Sequence, residues 1–343
     1  METRKIQQVG GGTYTVSLPK EWAKSVDIEP GAVVALHTHI DGTLVIQTGP
    51  SNDETVSPLT LSVAEADTAC IERAVRAAYV AGIETIQLED VDIDRDQQYV
   101  ERVARTLTGI TITELTDRTI QLRSLLDPTE VSLTQSVRQL QFSALSAHED
   151  ATAALLSPEI VENPIDRDYQ ADRIFTMVDR YFQRGLDSFS VMDDLGATRS
   201  ELFVYWVTAR ELKEIADHAQ RIATVANRLD GTVEDEFATE FDELATITQE
   251  IVRDAVAVIL DDEGMAAASS VLNERDRLQA LIEELDRELF ANEDADYRLT
   301  HALDSLRRTA DNAGTIAELG IRTLIRDGFF TATPIAIDGE QRR

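Results

Sequence analysis

The stretch Ile215-Ala216-Asp217-His218-Ala219-Gln220-Arg221-Ile222-Ala223 returns 94 residues later as Thr309-Ala310-Asp311-Asn312-Ala313-Gly314-Thr315-Ile316-Ala317. Both copies set apolar residues at helical spacing around an aspartate, and self-similarity at a fixed offset marks a repeated supersecondary unit. A second acid-marked segment precedes each copy, Asp172-Arg173-Ile174 and Asp276-Arg277-Leu278. Stripes such as Val137, Leu140, Ala144 and Leu145, or Ile251, Ala255, Val258 and Ile259, carry the 3.6-residue period from about Val131 to Asp327, and glycines are sparse there. With one more helix ahead of each marked pair, the pattern predicts two tandem three-helix bundles over residues 131–230 and 238–328.

Upstream of the helices the period changes. Residues 59–124 predict a small βαβαββ layer: strands at Leu59–Val63, Thr85–Leu88, Thr111–Leu115 and Thr119–Leu122, with helices at Ala64–Ala81 and Arg95–Leu107. No phosphate loop and no convergent polar set marks this layer, which reads as a spacer or dimer support. Cys70, beside Ala69 and Ile71, reads as a buried inert thiol.

Residues 1–48 predict short strands punctuated by turns: Lys5–Val9, the triplet Gly10-Gly11-Gly12, and Tyr14–Leu18. Pro19 opens a short helix, Lys20–Ser25, and strands at Ala32–Leu36 and Thr43–Gln47 flank the hairpin signal Asp41-Gly42. Thr48–Glu54 reads as a linker. Four strands in 48 residues bury too little to stand alone, so a partner chain is expected. The overall class is α+β, mostly α.

Charge separates the same segments. The 343 residues carry 63 acidic and 32 basic side chains, a net of −31, and only four lysines: Lys5, Lys20, Lys24 and Lys213. An acidic, lysine-poor surface suits a cytoplasm of molar salt, where screening removes most of the self-repulsion. Residues 1–50 hold three of the four lysines and a net charge of only −1, which suggests a head with its own partner. One cysteine excludes an internal disulfide and a cysteine-based zinc site. No signal peptide and no membrane-length apolar run is seen, so a cytoplasmic location without membrane insertion is expected.

The run Arg4–Ala23, with Leu18-Pro19-Lys20-Glu21-Trp22 and then Ile28-Glu29-Pro30-Gly31, resembles the SpoVT/AbrB swapped-hairpin family. The resemblance implies a homodimer whose interleaved hairpins close one β-barrel, and DNA binding through the hairpin face. It makes Arg4, Lys5, Lys20 and Lys24 the phosphate contacts. At high salt, hydrogen bonds from Gln7, Thr13 and Thr15 would carry more of the recognition than charge.

The segments Arg167–Ile174 and Leu212–Ala223 are similar to the signature helices of the PhoU family, tandem three-helix bundles that regulate phosphate uptake. A SpoVT/AbrB head on a PhoU body looks like the architecture of archaeal, here haloarchaeal, phosphate-uptake regulators. The resemblance implies carboxylate pairs that bind iron or zinc, since acids at i and i+4 share a helical face. The matching positions are Asp168 and Asp172, Lys213 and Asp217, Leu272 and Asp276, and Arg307 and Asp311. Cations stand where both partner helices should carry an acid, so salt bridging is favoured over metal and no cofactor is expected. Glu214 leaves room for a shifted ligand set.

His37 and His39 share a strand face without a third ligand; His218 reads as structural, and His148 and His301 stand alone. No nucleophile and base can be paired, and Gly10–Gly12 lacks the Lys-Ser/Thr of a phosphate loop, so enzyme activity is not expected. The expectation is a non-enzymatic regulator of phosphate uptake that docks the phosphate ABC transporter's ATPase or a response regulator, with DNA as a partner of its head. The alternatives are a metal- or ligand-sensing transcription factor, and a structural dimer without a DNA role.

Overall fold

The computed structural model describes residues 3–48, 58–156, 165–229, 233–261, 263–293 and 295–328. Most of the proposed linker lies outside them.

The head holds two antiparallel hairpins. Strands β1 (Gln7–Val9) and β2 (Thr13–Thr15) form one, β3 (Ala35–Thr38) and β4 (Leu44–Gln47) the other, and helix α1 (Lys20–Ser25) stands between them. Three of the strands are shorter than, or displaced from, their predicted ranges Lys5–Val9, Tyr14–Leu18 and Ala32–Leu36. Each pairs only with its hairpin neighbour, and residues beyond that register have no ladder to join.

The next layer has the predicted element order: β5 (Leu59–Ser62), α2 (Thr68–Val80), β6 (Thr85–Glu89), α3 (Ile93–Arg105), β7 (Ile110–Leu115) and β8 (Thr119–Ser124). Its four-stranded sheet runs β5-β6-β8-β7, with β5 and β6 parallel and the other pairs antiparallel. Ile71, Val75 and Tyr79 of α2 and Val100 of α3 close over Ile86, Leu88, Ile120 and Leu122 of the sheet. Helix α2 starts four residues later than predicted because Asp67 caps it, its carboxylate accepting the Cys70 N–H at 2.7 Å. That placement corrects the reading of Cys70: in the first turn of α2 it faces outward and is exposed.

After a 3-10 turn at Pro128–Glu130 the chain is helical. The helices are α4 (Leu133–Leu156), α5 (Ile165–Asp187), α6 (Phe189–Asp194), α7 (Arg199–Ala226), α8 (Asp235–Leu260), α9 (Met265–Ala291) and α10 (Leu299–Arg326). Helix α6 was not expected. Ser188 caps it, accepting the Val191 N–H at 3.3 Å, and it turns Val191 and Met192 inward. A capping box at Thr198 and Glu201 then starts α7.

One continuous hydrophobic cluster runs through both repeat units, from Leu133 to Ala317. Helix α7 packs on α10 and α4 on α8, so the repeat units merge along their alanine-rich faces. Equivalent positions of the repeat meet there. His218 of α7 and Asn312 of α10, which aligned at the 94-residue offset, are hydrogen-bonded at 3.1 Å. Arg221 donates to His218 Nδ1 at 2.9 Å, so Nε2 carries the proton and donates to the Asn312 carbonyl oxygen. Asn312 in turn donates to Glu211 at 2.5 Å. His148 of α4 does not stand alone, as the sequence suggested: it lies fully buried near His218 and contacts Gln249 of α8 at 3.4 Å.

Arg180 of α5 joins the layer to the helical body. Its side chain is fully buried, and its guanidinium donates to the carbonyls of Tyr79 (2.5 Å), Ile83 (3.0 Å) and Gly82 (3.2 Å) while lying 4.8 Å over the Tyr79 ring. Those carbonyls belong to the Schellman turn that ends α2, in which Ile83 N–H returns to Ala78 and Gly82 N–H to Tyr79. Gly82 has φ +88°, and a Cβ there would meet the Arg184 side chain at 2.8 Å, so only glycine fits.

Arg180→Ala leaves the Gly82 and Ile83 carbonyls without their donor and opens a cavity, and the chain is expected to lose about 3–5 kcal/mol in denaturant unfolding. Acid sensitivity follows from His148. Burial first, and the charge of His218 second, push its imidazole down from 6.5 to about 4. Between those values the unfolded chain binds a proton that the folded chain refuses. Stability is therefore unaffected above pH 6.5 and falls by about 3 kcal/mol as pH drops from 6.5 to 4. Urea titrations across this range should show a smaller pH slope in His148→Gln.

Candidate nucleic-acid interface and carboxylate pairs

The first hairpin sorts its side chains by the two-residue period. Register pairs Gln7 with Thr15, Gln8 with Tyr14 and Val9 with Thr13. Gln7, Thr13 and Thr15 therefore share one face, and continuing the alternation puts Lys5 there as well. Thr15 Oγ1 donates to the Gln7 carbonyl at 3.3 Å across the pair. The opposite face carries Tyr14 together with Ile6 and Val16, which are 71 %, 70 % and 46 % exposed. One face of the hairpin is mainly polar with a basic end, Val9 being its apolar member, and the other is mainly apolar, with Gln8 opposite Tyr14.

Gly10, at φ +64°, turns the hairpin between these strands. Helix α1 starts at Pro19, whose fixed φ suits a helix entry, and displays Lys20 and Lys24 one turn apart. Lys24 lies 3.8 Å from Glu21, both well exposed, which leaves the ammonium available to a stronger anion. All seven residues assigned to DNA contact, Arg4, Lys5, Gln7, Thr13, Thr15, Lys20 and Lys24, are exposed. No apolar side chain in residues 3–48 is buried; only His39 is, and it belongs to the contact with the body. His39 Nδ1 lies 2.5 Å from Asp193 of α6, with Phe189 at its ring edge. His37 and His39 are thus not a ligand pair: His39 lies beyond the strand and binds a carboxylate.

The carboxylate pairs are arranged around cations. Lys213 of α7 lies 3.1 Å from Asp172 of α5 and donates a short hydrogen bond to Asp217 one turn along its own helix. Burial alone would push the ammonium down, but the Asp217 hydrogen bond and the Asp172 charge outweigh it and hold Lys213 above its usual value. A metal ion does not fit this site, because the ammonium already stands between the two carboxylates. The side chain of Asp168 lies outside the described residues.

In the second unit Asp276 pairs with its neighbour Arg275 at 2.7 Å, and Asp311 accepts from Gln279 at 2.6 Å. Arg307, expected to neutralise these aspartates, makes no ion pair with either among the described residues, and Arg275 takes that place for Asp276 alone. Among the described residues no group of three or more His, Cys, Asp and Glu side chains is placed to hold a metal ion. No described helix is long and apolar enough to cross a membrane.

The family described as antidote-toxin recognition MazE, bacterial antitoxin, matches residues 7–54. The chain therefore begins with a MazE/AbrB-like domain, followed by a mostly helical remainder. No curated protein matches the chain.

Lys213→Met removes the cation that Asp172 and Asp217 share, and thermal or denaturant unfolding should register a loss of about 1–2 kcal/mol, moderated by the partial exposure of both acids. Lys213→Glu supplies a third carboxylate instead. Elemental analysis after dialysis should find more retained iron or zinc in that variant than in the unmodified chain.

Proposed function

We propose that the chain is a homodimeric, non-enzymatic regulator of phosphate uptake that contacts DNA through its N-terminal domain and a protein partner through its helical body. The DNA-binding regulatory part is carried by one observation, the two-faced hairpin at residues 7–15. Its mainly apolar face is exposed among the described residues, and its other face sets Lys5 with the amide and hydroxyl groups of Gln7, Thr13 and Thr15 beside Val9. The family match over residues 7–54 supports the same reading.

The phosphate part rests on the repeated helix motifs around Asp172 and Asp217 and around Asp276 and Asp311. The partners in that reading are the ATPase of a phosphate transporter or a response regulator, in the cytoplasm, with no cofactor required.

Light scattering should find a dimer that weakens or dissociates when residues 1–48 are removed; a monomeric full-length chain would refute the assembly. DNA titration should show preference for the upstream region of a phosphate-transport operon. Arg4→Ala and Lys5→Ala should each weaken binding and make the slope of log affinity against log salt shallower by about 2, one phosphate contact per chain of the dimer. Binding without preference for that DNA would remove the phosphate assignment and keep the DNA role.

A further inference from the structure

A cavity lies where the α/β layer meets the helical body, and the charge of its described lining is opposite to that of the molecule. It encloses about 900 Å³ between α3 and α5, with Gln139 of α4 at its side. Among the described residues Arg102 and Arg105 of α3 and Arg173 of α5 line it, against one acidic residue, Glu72.

Glu72 is already engaged: it accepts the Tyr99 hydroxyl at 2.5 Å and lies 3.9 Å from Arg76. Arg105 has a loose pairing with Glu101 at 3.9 Å. Arg102 and Arg173 form no ion pair among the described residues, although acids outnumber bases 63 to 32 in this chain. Guanidiniums gathered at one concave site, in a protein otherwise rich in carboxylates, make a local field that attracts anions. Their planar donors also match phosphate oxygens in pairs.

The rest of the lining sets the ligand class further. Tyr99, Val103, Ile174 and Met177 form an apolar wall, and the Arg102 guanidinium lies 5.7 Å over the Tyr99 ring. Thr106, Thr108 and Gln170 add hydrogen-bonding groups beside it. A flat ring can lie on the tyrosine and methionine while its charged end meets the arginines, and the volume suits a ligand larger than inorganic phosphate. We propose that this cavity binds a nucleotide, a phosphate-bearing ligand with a planar base. It is separate from the N-terminal hairpin, and Arg76, 3.9 Å from Glu72 and 3.8 Å from Asp172, links it to the Asp172–Lys213–Asp217 cluster.

The full-length chain should be titrated calorimetrically with ATP, AMP, adenosine and inorganic phosphate. Saturable binding of ATP or AMP is expected, with adenosine and inorganic phosphate each at least tenfold weaker. An Arg102→Gln/Arg173→Gln variant should lose at least tenfold in nucleotide affinity, with little change in the unfolding midpoint because both side chains are exposed and make no ion pair among the described residues. Arg4→Ala/Lys5→Ala should bind nucleotide as the unmodified chain does. The proposal fails if neither nucleotide binds, if the cavity variant binds normally, or if adenosine or phosphate alone binds as tightly. It also fails if the head variant is the one that loses nucleotide, since the binding would then belong to the hairpin.

Discussion

The guanidinium of Arg180 stands where helix α2 runs out of its own hydrogen bonds, and it supplies, from another part of the chain, the donors that the end of that helix lacks. The last carbonyls of a helix are unsatisfied and bear the negative end of its dipole. A buried arginine normally requires a carboxylate; here three carbonyls and the Tyr79 ring take that role. The exchange is mutual, since the Gly82 and Ile83 carbonyls would lack a donor without the body and the arginine would be unpaired without the layer. Tyr79 extends the join by donating to the Thr108 carbonyl at 2.9 Å, and Thr108 Oγ1 reaches the Arg173 carbonyl at 3.3 Å. The nucleotide cavity lies beside this seam, so its walls are held by the same contacts that unite the two parts.

A second constraint acts at the centre of the helical body. Repeat units that merge along alanine-rich faces could slide by a turn without losing much apolar contact, because alanines present a smooth surface. The hydrogen bonds from His218 to Asn312 and from Asn312 to Glu211 allow only one register. Polar groups at such a depth are costly when unpaired, so a slipped packing is excluded by the groups it would strand.

Much of the fold was legible in the sequence, and the reasons are specific. Helices α4, α5 and α7 to α10 announce themselves by period, and the four strands of the layer by alternation between turn residues. Helix α6 did not, because six residues are too few for a period. The merging of the bundle cores was hidden for another reason: an alanine stripe reads the same whether it faces its own bundle or a neighbouring one. At the candidate sites, the polar face of the hairpin could be read because β1 and β2 are adjacent in sequence. The grip of Lys213 on Asp172 and Asp217 was foreshadowed by a cation at a position where the PhoU resemblance implies an acid. The cavity was missed. Arg102 and Arg173 lie on different elements, and only the packing of α5 against the layer brings them to one site. Cys70 was misjudged because its apolar neighbours suggested burial, whereas the cap at Asp67 sets which way the first turn faces.

The head has a consequence of its own. A segment whose apolar side chains are all at least partly exposed does not possess a folding equilibrium separable from association: its core is formed by whatever covers Ile6, Tyr14 and Val16. When a second copy does so, the free energy that orders the hairpin is gained on encounter, and the ordered fraction follows the law of mass action. In the proposed dimer the hairpin and its polar face would form together as copies accumulate, with a threshold set by the dimer dissociation constant.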